Sequence, residues 1–282
     1  MTDDTRAYDP ARDAAPLDLD APWGRYAPTA AQRALIATTR GSVLQRGSLR
    51  RWMSGLILSL GRPLDIRFRD AAFRIAGENN LIEYGLLARP GYNAEEIDFL
   101  GEAVRGGGTF VDIGCNIGLY SLPLARVAGP AGTVVAIDAN AQMMERLNFN
   151  AQASDLANVL PVHSAVGAHA ARVDLRIRRD DAAIVSVVET DTGGVRMRPL
   201  ADILADAGLT RVDALKIDIE GHEDAALVPY LDSASPRMRP RRIVIEKIGA
   251  QEDYPGCTAA FARHGYRLIG RTRNNSLYQS EG

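Results

Sequence analysis

The sequence predicts an α/β protein whose main domain is a doubly wound, mostly parallel sheet. Three observations carry that prediction. Downstream of Gly106-Gly107-Gly108, short apolar runs alternate with amphipathic stretches of about 10–15 residues, the order that βαβ units require. The first apolar run passes through a glycine loop straight into a helix, FVDIGCNIGLYS over residues 110–121. The second run, VVAI, ends in an acid, Asp138, about 20 residues past the last loop glycine, Gly118.

In chain order, residues 1–28 are acidic and hold Pro10, Pro16, Pro22 and Pro28, with few large apolar side chains. Such a segment buries too little surface to offset its ordering entropy, so a mobile acidic tail is expected. Residues 29–62 read as a helical extension. Thr29 caps a first helix running to Arg40, and SLRRWMSGLILSLG places Leu49, Trp52, Met53, Leu56, Ile57 and Leu60 at helical spacing, with Arg50, Arg51, Ser54 and Ser59 opposite. Its apolar face is expected to pack on the main domain; a basic amphipathic helix with a tryptophan also suits an anionic membrane surface, through residues 47–60. Residues 63–282 form the main domain. Residues 64–76 alternate as a hairpin turning near Asp70-Ala71, a helix is expected from about Asn93 to Arg105, and TFVDI, TVVAI, NVLPVH, VDALKIDI and RRIVIEKI are the strands. The stretch 164–198, with RVDLRIR and AIVSVVE, reads as an antiparallel insertion.

Composition narrows the function. A net charge of −2 over 282 residues excludes a protein working by bulk basicity, so no nucleic-acid partner is expected. Two cysteines, Cys115 and Cys257, allow neither a disulfide framework nor a four-cysteine zinc site. No apolar run approaches the roughly 18 residues of a membrane span, and the N-terminus lacks a signal-peptide layout, so a cytoplasmic location is expected. Lys216 and Lys247 are the only lysines among 33 basic residues, a bias given no functional weight.

The chemistry-bearing residues sit at strand ends. Asp112, Gly114, Cys115, Asn116 and Gly118 form the strand-loop-helix, whose glycines permit a tight turn and close approach to a nucleotide-like ligand. The spacing differs from G-x-G-x-x-G, and Asp112 would repel a pyrophosphate but not the cationic sulfonium cofactor S-adenosylmethionine. Asp138 is placed for ribose hydroxyls, or caps the helix after it; Ala139 beside it and Ser164 after the third strand complete the cofactor set. Further on, ALKIDIEGHEDA places Asp218, Glu220 and His222 at the end of the fourth strand, where open α/β sheets keep catalytic groups.

D-I-G-x-N-I-G-x-Y-S, followed about 100 residues later by K-I-D-x-E-G-x-E, resembles the FkbM family of S-adenosylmethionine-dependent methyltransferases. The resemblance spans roughly residues 60–280. It implies a class I (Rossmann-like) methyltransferase fold and methyl transfer to a small-molecule or saccharide acceptor, above all O-methylation of a sugar, glycolipid or secondary metabolite. On matching positions it implies Asp112, Gly114, Asn116 and Gly118 as cofactor loop and Asp138 as ribose acid, with Asp218 and Glu220 bordering cofactor and acceptor. Cys115 departs from the usual alanine, and Ala139 follows the acid where proline is commoner. A hydroxyl acceptor must lose its proton during attack, and Asp218, Glu220 and His222 are the candidate bases. Asp218 and Glu220 can alternatively bind Mg²⁺, but with no third acid placed beside them no metal is expected. Two other readings stay open: a NAD-dependent oxidoreductase, and a non-catalytic nucleotide-binding module on the same fold.

Overall fold

Thr29 opens the first helix through a capping box: its side chain accepts from Gln32 N, and Gln32 reaches back to the Thr29 amide. Helix α1 (Ala30–Thr39) is followed by α2 (Gly47–Ser59), then by the hairpin β1 (Leu64–Phe68) and β2 (Ala71–Ile75). The two turn residues, Arg69 and Asp70, take φ of 45° and 63°, the left-handed pair that matches strand twist in a two-residue hairpin loop. The computed structural model describes residues 17–77, 81–178, 181–190, 192–249 and 252–281.

Residues 17–28 differ from the expected loose tail; residues 1–16 lie outside the described residues. Arg74, fully buried, pairs with Asp65 at 2.7 Å and donates to the carbonyls of Asp18, Ala21 and Pro22. Asp65 in turn accepts from Gly24 N and Tyr26 N. A buried guanidinium with five donors needs several acceptors, and backbone carbonyls of this segment supply most of them.

Helices α3 (Leu81–Ala88) and α4 (Ala94–Val104) lead into the alternating region: β3 (Thr109–Ile113), α5 (Ser121–Ala128), β4 (Thr133–Asp138), α6 (Ala141–Ala153) and β5 (Val159–His163). Four strands follow, β6 (Ala165–Val166), β7 (Ala171–Arg178), β8 (Asp181–Glu189) and β9 (Val195–Arg198). Then come α7 (Leu200–Asp206), β10 (Ala214–Ile217), α8 (Glu223–Ser233), β11 (Arg242–Glu246), α9 (Pro255–Arg263), β12 (Tyr266–Arg271) and β13 (Asn275–Ser280).

The central sheet has the order β12-β13-β11-β10-β3-β4-β5. From β11 to β5 every pairing is parallel, while β13 runs antiparallel to both β11 and β12. This is the doubly wound class I arrangement, with the order reversing beside β3. Alternate strand residues face opposite layers: Phe110, Val134 and Val244 pack under α4, α5 and α6, whereas Val111, Val135 and Ile243 pack under α7, α8 and α9. The insertion 164–198 folds as a separate sheet, β6-β9-β7-β8, antiparallel except where β6 meets β9.

The apolar residues of α2 do not share one fate. Met53, Ile57 and Leu58 are buried against the domain, and so is Ser54, expected on the polar side. Leu49, Trp52 and Leu60, expected on the packed face, are exposed. The six apolar positions cover too wide an arc for one contact, and the domain takes only part of it.

Candidate active site

In open α/β sheets ligands sit beyond the carboxyl ends of the strands, at the point where strand order reverses. Here the ends of β3, β4, β10 and β11 surround a cavity of ≈ 410 Å³. Of the sequence-derived residues, Gly114, Cys115, Asn116, Asp138, Ala139, Ser164, Asp218, Glu220 and His222 all lie on its wall.

The β3 loop is tightly folded on itself. Gly114 N and Cys115 N both donate to Ile137 O, at 2.9 and 3.1 Å, and Gly118 N donates to Cys115 O. Asn116, at φ 50°, gives its amide to Asp138 Oδ2 at 2.8 Å, and its own side chain accepts from Ile117 N. The amides from 114 to 118 therefore have internal acceptors, so this loop offers no cradle for a pyrophosphate. Gly114, at φ 79°, lies so close to the β10 exit that a Cβ there would meet Asp218 O at 1.9 Å. Gly118 serves packing instead of the cavity: a Cβ would strike Leu147 at 2.7 Å and Leu122 at 2.8 Å.

Asp112 is fully buried and stands behind the loop, off the cavity wall. Its Oδ2 accepts from Ser121 Oγ at 2.6 Å, and Oδ1 has no partner among the described residues. Burial pushes its carboxyl up to about 6, against the pull of Lys216 and the Ser121 bond. The expected direct view of a cationic ligand is thus replaced by a buried carboxylate behind the wall.

Asp138 accepts one amide on each oxygen, from Asn116 and from Asn140, and burial raises its carboxyl overall. It does not cap α6; Asn140 does, accepting from Gln142 N. Asn140 Nδ2 is buried on the cavity wall without a partner among the described residues. Ser164 Oγ donates to Ala165 O and Arg196 O, and Cys115 is buried with its thiol raised well above the ordinary value, first by burial and then by Asp138 and Asp112. That thiol is packing, not a nucleophile.

On the β10 side, Lys216 is 3% exposed, and its Nζ lies 2.7 Å from Asp218 Oδ2 and 5.2 Å above the Tyr120 ring. Burial acts to raise the Asp218 carboxyl, but the Lys216 ammonium and hydrogen bonds from Lys216 and Glu246 outweigh it, leaving Asp218 below the usual range. Glu246, at the end of β11, is pushed up to about 9, by burial first and then by Asp218. At neutral pH the chain therefore reads Lys216 ammonium, Asp218 carboxylate, Glu246 carboxylic acid. The following loop is pinned by buried Glu223, which accepts from Ile219 N and Gly221 N and holds Glu220 at φ 53°. His222 is the residue before α8.

Asp218, Glu220 and Glu246 bring oxygens within 4.8 Å of one another, the third acid that the sequence did not place. The Lys216 ammonium, 2.7 Å from Asp218, compensates part of that charge. Lys216, Tyr92, Asn93 and Asn275 also line this wall, with no motif in the sequence that places them there. The rarity of lysine in this arginine-biased chain, with Lys216 and Lys247 alone, is the one trace of Lys216 in the sequence. Of the segment before α4, Asn79 and Asn80 lie outside the described residues. Glu83 is buried and bonded to Ala76 N and Arg146, Tyr84 donates to Gly77 O, and Ile82, Tyr92 and Asn93 reach the cavity.

The fold and this site together define a class I methyltransferase. Residues 112–268 match the model of the methyltransferase FkbM domain, more than half of the chain. The chain belongs to the FkbM methyltransferase family and is an S-adenosylmethionine-dependent methyltransferase. No curated protein matches it significantly. Solved structures similar to it include a precorrin-6y C5,15-methyltransferase from Geobacter metallireducens, at 16% identity, 68% of this chain, 89% of that one and a TM-score of 0.43. A second is TYW2 of M. jannaschii in complex with AdoMet, at 14% identity, 78% and 88% coverage and a TM-score of 0.40. A third is an S-adenosylmethionine-dependent O-methyltransferase from Thermotoga maritima, at 13% identity, 66% and 64% coverage and a TM-score of 0.40.

Proposed function

We propose that the chain methylates a hydroxyl oxygen of a sugar, glycolipid or secondary metabolite, in the cavity between the β3, β4, β10 and β11 ends. The residues present suit the cofactor. Asp138 keeps lone pairs on the wall for ribose hydroxyls, Asn140 Nδ2 is a donor without a partner among the described residues, and the filled amides of 114–118 disfavour the pyrophosphate that a NAD enzyme must hold. The buried carboxylate of Asp112 adds negative potential behind a wall that meets a cationic ligand. Cys115, Ala139 and Ser164 shape the wall around these groups. S-adenosylmethionine supplies, when bound, a methyl group already made electrophilic by its sulfonium.

The protein then has to align an oxygen, exclude water and take a proton. The single observation that carries the hydroxyl reading is the Asp218 carboxyl on the cavity wall, 2.7 Å from the Lys216 ammonium, which holds it below the usual range. A hydroxyl becomes strongly acidic as the new C–O bond forms, so a carboxylate of low basicity suffices to accept its proton. Lys216 keeps Asp218 charged, Glu246 donates to it, and the Glu223-pinned loop sets Glu220 and His222 beside the acceptor's approach. Incubation with tritiated methyl donor and a panel of hydroxylated sugars and lipids tests this. Transfer to oxygen that Asp218→Asn reduces by about 10²-fold or more supports it, and transfer indifferent to that change removes the proposed base.

A further inference from the structure

Four large apolar side chains in one short stretch stand in solvent: Val43 at 66% exposure, Leu49 at 45%, Trp52 at 63% and Leu60 at 49%. On α2 and its C-cap, Leu49, Trp52 and Leu60 form an exposed stripe with half-buried Leu56, directly beside buried Met53 and Ile57. The charge of the surrounding sequence has one sign. Between Asp20 and Asp65 the sequence contains no acidic residue, and it contains Arg25, Arg33, Arg40, Arg46, Arg50, Arg51 and Arg62. Arg51, Arg89 and Arg273 are the charged neighbours of Arg50, and none of these four has an ion-pair partner among the described residues. Arg89 lies 5.9 Å from the ring centroid of Tyr92, a residue of the cavity wall, so the basic patch reaches the cavity's rim.

Exposed apolar surface of this size repels water, and uncompensated arginines repel one another; both costs fall if the face meets a surface that is apolar within and anionic outside. We infer that the exposed face of α2 docks on an anionic lipid bilayer, with the leucines and Trp52 at the interface and Arg46, Arg50, Arg51, Arg89 and Arg273 among the headgroups. Tryptophan prefers that depth, and each arginine near an anionic leaflet strengthens association by about fivefold. RNA would use the arginines but would leave an aliphatic stripe wet, which favours lipid. Among the described residues no helix is long and apolar enough to cross a membrane, so the contact is peripheral. An acceptor would then reach Asp218 from the bilayer side, a consequence resting on the methyl-transfer reading; docking itself does not, and its test uses no methyl transfer.

The test is co-sedimentation of the full chain with phosphatidylglycerol-containing and pure phosphatidylcholine vesicles at low salt, with melting temperature as the folding control. The expected result is at least tenfold preference for anionic vesicles, lost in high salt and reduced about fivefold or more by Trp52→Ser and by Arg51→Gln. In a Trp23→Phe background, Trp52 emission should shift to the blue on binding. Equal partition to both vesicles, or undiminished binding of Trp52→Ser, overturns the inference. So does a dimer that Trp52→Ser dissociates, which would assign the stripe to a second copy, or displacement of the vesicles by single-stranded RNA.

Discussion

Replacing Gly114 with alanine isolates the contact on which the site's geometry depends. The added Cβ would sit 1.9 Å from Asp218 O and 3.0 Å from Asp218 C. Ordinary contact begins near 3.4 Å, so the two backbones must part by about 1.5 Å, and the atom struck is main chain that cannot swing aside. Overpacking of this kind costs about 1–3 kcal/mol, and alanine in the left-handed region adds about 1. Gly106 supplies the control, because its φ of 80° matches the 79° of Gly114 and nothing lies within 4 Å of its Cβ position. Gly106→Ala therefore carries the backbone penalty alone. Thermal unfolding of both variants should show Gly114→Ala melting several degrees below Gly106→Ala, since about 1 kcal/mol corresponds to a few degrees in a chain of this size. Donor binding and transfer should fall with it, because Asp218 moves with the displaced strand exit. Equal melting temperatures and unchanged transfer for the two variants would refute the close approach of the two loops.

Three further outcomes follow from the charges. Glu246→Gln copies the protonated acid, so activity at pH 7 should stay within a few-fold of wild type, and an alkaline fall near pH 9, where Glu246 ionises, should vanish from the pH–rate profile; a large loss at pH 7 would contradict the assigned proton. Asp112 has its folded-state value raised from 3.8 to about 6, so its stabilising contribution is full below pH 4 and lost as pH rises through 6. Urea unfolding should show wild type gaining on Asp112→Asn by up to about 3 kcal/mol between pH 7 and pH 4, and parallel profiles would place the carboxyl outside the buried site. Chelation with EDTA should leave transfer unchanged, and full loss restored by Mg²⁺ would instead make Asp218, Glu220 and Glu246 its ligands.

The sheet was legible because a parallel strand buried on both faces writes itself as a short apolar run, and TFVDI, TVVAI and LKI did so. The strand β13, NSLYQS, has no such run: Asn275 and Ser276 are buried through hydrogen bonds to Glu96 and Asp253, polar partners far away in sequence. Cavity residues at the ends of strands were found from local spacing, as Asp138, Asp218 and Glu220 show. Glu246 was missed because it ends RRIVIE with no loop motif, and its meaning comes only from the pairing of β11 with β10. Lys216 was missed because a lysine inside a strand carries no local signature; its burial between Asp218 and Tyr120 does. Gly118 was read as cofactor loop because sequence spacing cannot separate a glycine opened for a ligand from one opened for Leu147. The split of α2 into a packed and an exposed apolar stripe likewise depends on how much of the helix the domain can cover.

On the proposed reading, donor binding belongs to the β3–β4 side of the cavity and proton removal to the β10–β11 side. Calorimetry with S-adenosylhomocysteine on wild type, Asp138→Ala and Asp218→Asn tests it most directly. Asp138→Ala should weaken binding by about 10–100-fold, while Asp218→Asn should bind within a few-fold of wild type and still fail to transfer methyl. Undiminished binding by Asp138→Ala, or binding lost only in Asp218→Asn, would contradict it.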